Sequence, residues 1–417
     1  MRRTRTAATT TALASLLLAT ACGGGSGTAG SDGDTLEVWV MSSQTGNEGP
    51  TFEQLVADFE SVNPGTKIEV QPIPWENAKD KIATAVASGD GPDVVQVGLS
   101  LLPELVDSGA LMDLSDEIGS HPELAADRFV EGARPTMQTD GKTYSVPWVT
   151  DTRALFYRTD LLAEAGYEQP PQTWAELKDA ATKLKARGGK NFGISLNVGD
   201  QFLPLMFTWQ AGGDVHRDDT VDFGVPEFKE AVAYENSFFT AGLTPKAGPW
   251  KYDEVQGFKT GVTPMFVSGP WMTKAIQEQA PEINGKWALS LMPGDTTRTA
   301  FLGGSSLGVF SKSKNSEGAL KLLAYLSQKD TQLAWYKASN ALPAVSEALA
   351  DPALTSDPNT KVFTEQLKQA KIAPPIKQWD AVAQEMTRAV EQITIGGADI
   401  DKTLASLDTK VSGLTSR

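Results

Sequence analysis

Strand-like and helix-like stretches alternate along this chain in two successive blocks, an order that predicts an α/β fold of two lobes joined by several crossovers. Three observations carry the prediction. Leu36 to Gly98 reads βαβαβ, the order of a parallel sheet covered by helices. The run Pro147 to Arg158 leaves one apolar strand (Thr143 to Trp148), bends through the polar Thr150, Asp151, Thr152 and Arg153, and enters a second strand at Ala154 to Tyr157. Phe301 to Ser305 (FLGGS) is a further polar, glycine-rich break, and Leu342 to Val345 gives a third passage.

The chain opens on an address label. Arg2, Arg3 and Arg5 precede a short apolar stretch from Ala12 to Ala19, and Ala19-Thr20-Ala21 supplies small residues for cleavage, so residues 1–21 are expected to be a signal peptide. Cys22 follows directly and is the sole cysteine of the 417 residues, which excludes an intrachain disulfide. Residues Gly23 to Asp34 hold no apolar side chain larger than alanine, a composition that makes a flexible tether reaching about 40 Å at full stretch. About 380 residues then remain, enough for two domains each with its own core. The net charge of -15 comes from interspersed rather than blocked residues and argues against nucleic acid and anionic lipid surfaces as partners.

Each element of the body has a local reason. Leu36 to Val40 is a strand; Thr51 and Gln54 form a capping box for a helix with Phe52, Leu55, Val56 and Phe59 on one face, stopped by Asn63-Pro64-Gly65. Lys67 to Ile73 is a strand, Ala78 to Ala87 a helix and Asp93 to Gly98 a strand. The SGDGPD turn ends that helix and launches that strand, because without lysine or Walker spacing it does not suit a phosphate. Ligands of such sheets bind beyond the strands' carboxyl ends, which places Ser43, Gln44 and Ser100 at one rim. In the second block Thr173 and Glu176 make another capping box, with Trp174, Leu177, Ala181 and Leu184 as the buried stripe and Gly188 closing the helix. Strands are expected at Phe192 to Leu196, Thr263 to Val267 and Trp287 to Met292. After the return come a strand at Ser306 to Ser311 and a helix at Glu317 to Ser327. Two terminal helices carry the stripes Val382, Met386, Val390, Ile393 and Leu404, Leu407, Val411, Leu414. The crossovers divide the body into residues 35–150 with 304–343 and residues 151–303 with 344–417. Trp39 and Trp75 are read as core.

Four segments, ASGDGPDVV (Ala87 to Val95), the run Tyr157 to Leu184 with YRTDLLAEAG and PPQTWAEL, GVTPMFVSGPW (Gly261 to Trp271) and FLGGSSLGVFSKSKNSEGALKLLAYL (Phe301 to Leu326), resemble in order the extracellular solute-binding proteins of carbohydrate ABC importers, the group that includes the maltodextrin-binding proteins. The start of the chain resembles a bacterial lipobox, with Ala19 where a larger aliphatic residue is usual, so Cys22 is expected to be the lipidated N-terminus of the mature protein. The resemblance implies the two-lobe periplasmic-binding-protein-like fold, or Venus flytrap, at the extracellular face of the cell membrane. It also implies a carbohydrate ligand, ABC permease subunits with their ATPase as partners, a membrane contact through the lipid anchor alone, and a monomer.

A saccharide site needs a flat apolar face for C–H patches and carboxylates, amides or hydroxyls for its hydroxyl groups. Trp271 follows Gly269-Pro270 where a strand turns into a helix, and in the family the GPW tryptophan stacks on sugar; the alternative is packing in the second lobe's core. Asp151 occupies the place of an acidic residue that, in maltodextrin-binding relatives, accepts hydroxyl hydrogen bonds; its alternative is an ion pair with Arg153 bracing the hinge. Trp379, in KQWD, aligns with another aromatic platform as an exposed loop residue. Gly303, Gly304 and Ser305 lie at the second crossover, and Asp200 and Phe202 are placed near the ligand by alignment. Some relatives carry charged residues at the two rims where this sequence has hydroxyls and an amide.

Two rival classes fit less well. A secreted glycoside hydrolase needs two carboxyls about 5 to 9 Å apart across one bond, and Asp151 alone is placed in the cleft. A surface adhesin has no need of two lobes with several crossovers. The two histidines, His121 and His216, lie far apart in sequence without ligand-like neighbours, so neither metal nor cofactor is expected.

Overall fold

The computed structural model describes residues 35–42, 48–217, 220–247 and 251–416; the signal peptide, Cys22, the tether, Ser43 and Gln44 lie outside them. The first lobe is built on strand Thr35–Ser42, which pairs in parallel with Lys67–Pro74 on one side and Val94–Gly98 on the other. Alternate residues of that strand serve two cores, as the period of two demands. Leu36, Val38 and Val40 pack with Phe52, Leu55, Val56 and Phe59 of helix Glu48–Val62. Trp39 and Met41 face the other way, against Ala78, Ile82 and Ala85 of helix Trp75–Ser88. That helix ends at Gly89, whose left-handed backbone (φ 69°) lets its N–H reach the Ala85 carbonyl, the role expected of the SGDGPD turn. The first capping box does not form: the helix begins at Glu48, leaving Thr51 and Gln54 inside it, where Gln54 Nε2 donates to Asp58.

Ala370–Lys371 joins this seven-stranded sheet in parallel with Ala300–Val309, and three further strands carry the chain between lobes. In spatial order they are Leu342–Pro343, Val146–Thr152 and Ala300–Val309, the last lying antiparallel to Val94–Gly98. Neither expected break is a bend. Thr150, Asp151 and Thr152 sit within a strand, and the FLGGS segment is the first half of a ten-residue strand with an irregularity between Ser305 and Ser306. Thr150 lies opposite Gly304 and Asp151 opposite Gly303, so two strands cross from lobe to lobe as one ribbon. The glycines permit this contact: Gly304 has φ 123°, and a Cβ there would stand 2.1 Å from the Val149 carbonyl oxygen. At the third passage Leu342 packs with Phe156 and Phe266 of the other sheet, while Ala344, Val345 and Ala348 pack in the first core beside Trp148. Gln332 holds that passage, donating from Nε2 to the Trp148 carbonyl at 3.0 Å and accepting the Ala344 N–H at 2.9 Å.

Past Arg153 the chain enters Ala154–Arg158, the middle strand of a second sheet flanked antiparallel by Met265–Ser268 and Trp287–Ser290. Phe192 to Leu196, expected as a strand here, makes only an isolated bridge from Ser195 to Phe266. The Thr173 capping box forms as expected, Thr173 Oγ1 accepting the Glu176 N–H and the Glu176 carboxylate accepting the Thr173 N–H. Its helix, Trp174–Lys185, buries Trp174, Leu177, Ala181 and Leu184 in a core shared with helices Phe202–Gln210 and Pro226–Thr240 and with the terminal pair Trp379–Thr394 and Ile400–Thr415. Among the described residues no helix is long and apolar enough to cross a membrane.

Candidate functional site

Arg153 sits where the two sheets meet, and the site is assembled around its guanidinium. Two residues apart on an extended chain, Asp151 and Arg153 project to the same side, and Asp151 Oδ1 accepts from Arg153 Nη1 at 2.9 Å. Asp200, at the head of helix Phe202–Gln210, accepts the Phe202 N–H at 2.9 Å through one oxygen and faces Arg153 Nε at 3.5 Å with the other. Three aromatic rings surround the cation, with centroids at 5.0 Å (Trp271), 5.7 Å (Phe301) and 5.9 Å (Phe202). The ion pair weighed as the alternative for Asp151 is therefore present, and Asp200 and Phe202 are both brought to it. Burial pushes the Asp151 carboxyl above its ordinary value, Arg153 pulling against this and Asp200 pushing with it.

Trp271 opens helix Trp271–Gln279 just after strand Met265–Ser268 and keeps 40% of its surface exposed. Its ring folds back over Gly269, where a Cβ would stand 2.1 Å from Trp271 Cζ3, so glycine at that position sets the indole's direction. Beside it lies a cavity of about 350 Å³ whose wall includes Arg153, Ser195, Asn197, Asp200, Glu254 and Trp271. Glu254 begins helix Glu254–Thr260. Burial and the nearby Asp200 charge push its carboxyl up to about 8, against the pull of a hydrogen bond with Ser195 and of Arg153. Ser100 lines a separate cavity of about 270 Å³ with Phe301, Leu302 and Thr136.

Two expected contacts are overturned by burial. Trp379 is no loop platform: it is the first residue of its helix, fully buried with Val382, Ala383 and Met386 in the second core, and presents no face to a ligand. Ser305 is likewise fully buried, its hydroxyl accepting from Gln96 Nε2 at 2.8 Å while Gln96 Oε1 accepts the Met41 N–H, a bond network that ties three strands together. Gly304 is placed against Val149, and Gly303 leaves room for Asp151, whose Oδ1 would be 2.5 Å from a Cβ there. Trp75, expected in the core, is 48% exposed at the start of its helix, its ring beside Gly98 at the end of strand Val94–Gly98. Trp75 and Glu254 are the two residues of functional character that the sequence reading missed. Trp75, like Trp271, is the first residue of a helix that follows a strand, and that parallel was the available signal.

The bacterial extracellular solute-binding protein family model matches residues 54–362, most of the chain. The chain belongs to this family. Among solved members, the sugar-binding protein MalE from Xanthomonas citri is 31% identical, with a TM-score of 0.82 over 92% of this chain and 97% of that one. An ABC transporter solute-binding protein from Thermotoga lettingae, solved with α-D-tagatose, is 25% identical with a TM-score of 0.83, covering 92% of this chain and 100% of that one. The diacetylchitobiose binding protein DasA of Streptomyces coelicolor is 27% identical over 88% of this chain and 87% of its own. Solute-binding proteins of this kind have two lobes, and Asp151 and Gly303 lie on the paired crossing strands, with Arg153 just past the end of the first of them.

Proposed function

We propose that this solute-binding protein captures a saccharide between its lobes and delivers it to the permease subunits of an ABC importer. The observation that carries the reading is the half-exposed Trp271 indole on the wall of a 350 Å³ cavity that combines apolar side chains such as Leu196, Val267 and Met272 with the polar groups of Ser195, Asn197, Asp200 and Glu254. Covering about 100 Å² of sugar with one indole stabilises binding by roughly 2.5 kcal/mol before ordering terms. Discrimination comes from the polar wall, because a buried hydroxyl or carboxylate left unpaired costs about 1 to 3 kcal/mol. Trp75 offers a second flat face on the first lobe, and the division at residues 150/151 and 303/304 sets the hinge. Closure would stabilise itself by contacts that a ligand makes with both lobes at once. The permease would recognise the closed form, ATP would be hydrolysed by a separate subunit, and Cys22 would anchor the protein to the outer face of the membrane as a monomer. The bound saccharide leaves intact, because this protein's task is capture rather than cleavage.

The test is thermal unfolding of the body from Asp34 onward against mono-, di- and oligosaccharides, with Trp271→Ala in parallel and small-angle scattering on any pair that binds. Ligand at 100 times its Kd should add about 2.7 kcal/mol of stability, the scattering should show compaction, and Trp271→Ala should abolish the gain. No response to any saccharide, or binding without compaction, would defeat the reading.

A further inference from the structure

The charge inventory of the Trp271 cavity narrows its ligand. Among the described residues of its wall the acids are Asp200, Asp253 and Glu254, and the single cation is Arg153. Arg153 is already committed: it is buried, paired with Asp151 and Asp200, and covered by three aromatic rings. A carboxylate, phosphate or sulfate group on a ligand would therefore meet three acids and no available positive partner, and desolvating it there would be strongly unfavourable. The reverse holds for a cation. An ammonium gains from the carboxylates on the wall, and Trp271 and Tyr252, which also line the cavity, supply aromatic rings of the kind that attract one. Glu254 and Asp200 are acidic neighbours on this wall, and burial followed by the Asp200 charge raises the Glu254 carboxyl. A bound cation relieves that repulsion, whereas a neutral sugar leaves it in place.

We propose that the cavity is shaped for a saccharide bearing a protonated amine, the ammonium seated among the carboxylates of Asp200, Asp253 and Glu254 and beside the Trp271 ring. The inference rests on the reading of the site as a saccharide site and adds the charge class of the ligand. The titratable and charged groups facing Glu254 are Asp200, Arg153, Asp253 and Tyr252, so charge balance on binding is set among these groups: as the ammonium enters, Glu254 gives up its proton to solvent.

The experiment is calorimetric titration of the soluble body with the glucosamine disaccharide, its N,N′-diacetylated form and a neutral glucose disaccharide, at low and high salt and in buffers of differing ionisation enthalpy. The free amine should bind about tenfold more tightly than its acetylated form at low salt, the margin given by one screened unit charge at cavity distances. That preference should shrink in high salt, and proton release should accompany the amine alone. Glu254→Gln should reduce the preference, with an unchanged circular-dichroism spectrum as the check that the fold is intact; an undiminished preference in the folded variant would overturn the assignment of the ammonium to Glu254. Equal or tighter binding of the neutral sugars, with compaction, overturns this inference and leaves the solute-binding reading standing. If no saccharide of either class binds or compacts the protein, the saccharide reading fails and this inference fails with it.

Discussion

Replacing Arg153 by methionine tests whether the crossover is held by charge. Methionine keeps the length and apolar bulk of the stem but removes the guanidinium, leaving Asp151 and Asp200 facing each other without a cation. Removing one partner of a buried ion pair destabilises by about 3 to 5 kcal/mol. The two carboxylates retain side-chain exposures of 20% and 13%, so some water reaches them, and the lower end, about 3 kcal/mol, is expected. Lost cation–aromatic contacts with Trp271, Phe301 and Phe202 fall within that figure. The pH dependence distinguishes charge from lost packing. In the variant the Asp151 carboxyl, already raised by burial and by the Asp200 charge, loses the cation that opposed the rise, so the fold binds a proton that the unfolded chain releases, and stability falls as pH rises. Urea unfolding should therefore show the loss near its full size at pH 8 and about half that or less at pH 5, approaching the unfolded carboxyl range. Adding Asp200→Asn to the variant should restore stability at pH 8. A loss below about 1 kcal/mol at pH 8, or one of equal size at both pH values, would refute the view that Arg153 compensates these acids.

Glu235 is buried in helix Pro226–Thr240, neither of its carboxyl oxygens finds a hydrogen-bond partner among the described residues, and burial followed by the Asp200 charge pushes it up to about 8. Between the unfolded value and 8 the fold holds a proton that the unfolded chain loses, so stability declines with rising pH by up to about 1.4 kcal/mol per unit for this group. Glu254 adds a slope of the same sign. Glu235→Met should remove about half of the combined slope and raise stability at pH 8, measured by urea midpoints across pH; parallel curves for parent and variant would be the contrary result. Gly304→Ala should cost about 2 to 3 kcal/mol in the same assay, because a backbone at φ 123° and a carbonyl at 2.1 Å both oppose a Cβ. Gly303→Ala, which meets the movable Asp151 and Phe301 side chains, should cost less stability but displace Asp151; equal losses for the two would count against the ribbon geometry.

What the sequence made legible was mostly local. The Thr173 capping box is read from two residues three apart and is formed by the same two. The apolar face of the first helix was found although its N-terminus was misplaced, because periodicity outlasts an error of one turn in the start. The crossovers were harder. Polar Thr150, Asp151 and Thr152 look like a bend, yet all three are paired with strand Ala300–Val309 and Thr150 with Leu342 as well, and side-chain polarity does not report strand pairing. The glycines of FLGGS look like a break for the same reason: glycine marks either a turn or a close approach of two chains, and here it is the second. Arg153 is paired with Asp200, which lies 47 positions away, beyond any local pattern. Trp379 continues the stripe Val382, Met386, Val390 one helical step earlier, so its burial was there to be read. Trp75 stands in the same relation to Ala78, Ile82 and Ala85 and is nonetheless half exposed, since at the first position of a helix the edge of the sheet below decides what is covered.

The ribbon of crossing strands also governs how the molecule can come into being. Strand Val94–Gly98 has one edge filled early by Thr35–Ser42, but its other edge waits for Ala300–Val309, and the bond from Gln96 to Ser305 spans 209 positions. During synthesis the first lobe therefore stays incomplete until most of the second has emerged, so neither half can finish alone. Closing so long a loop before its contacts form slows folding and leaves an unpaired strand edge open to other chains in the meantime. The same interlacing that makes the hinge thus makes the nascent chain a late folder, assembled in one final step rather than lobe by lobe.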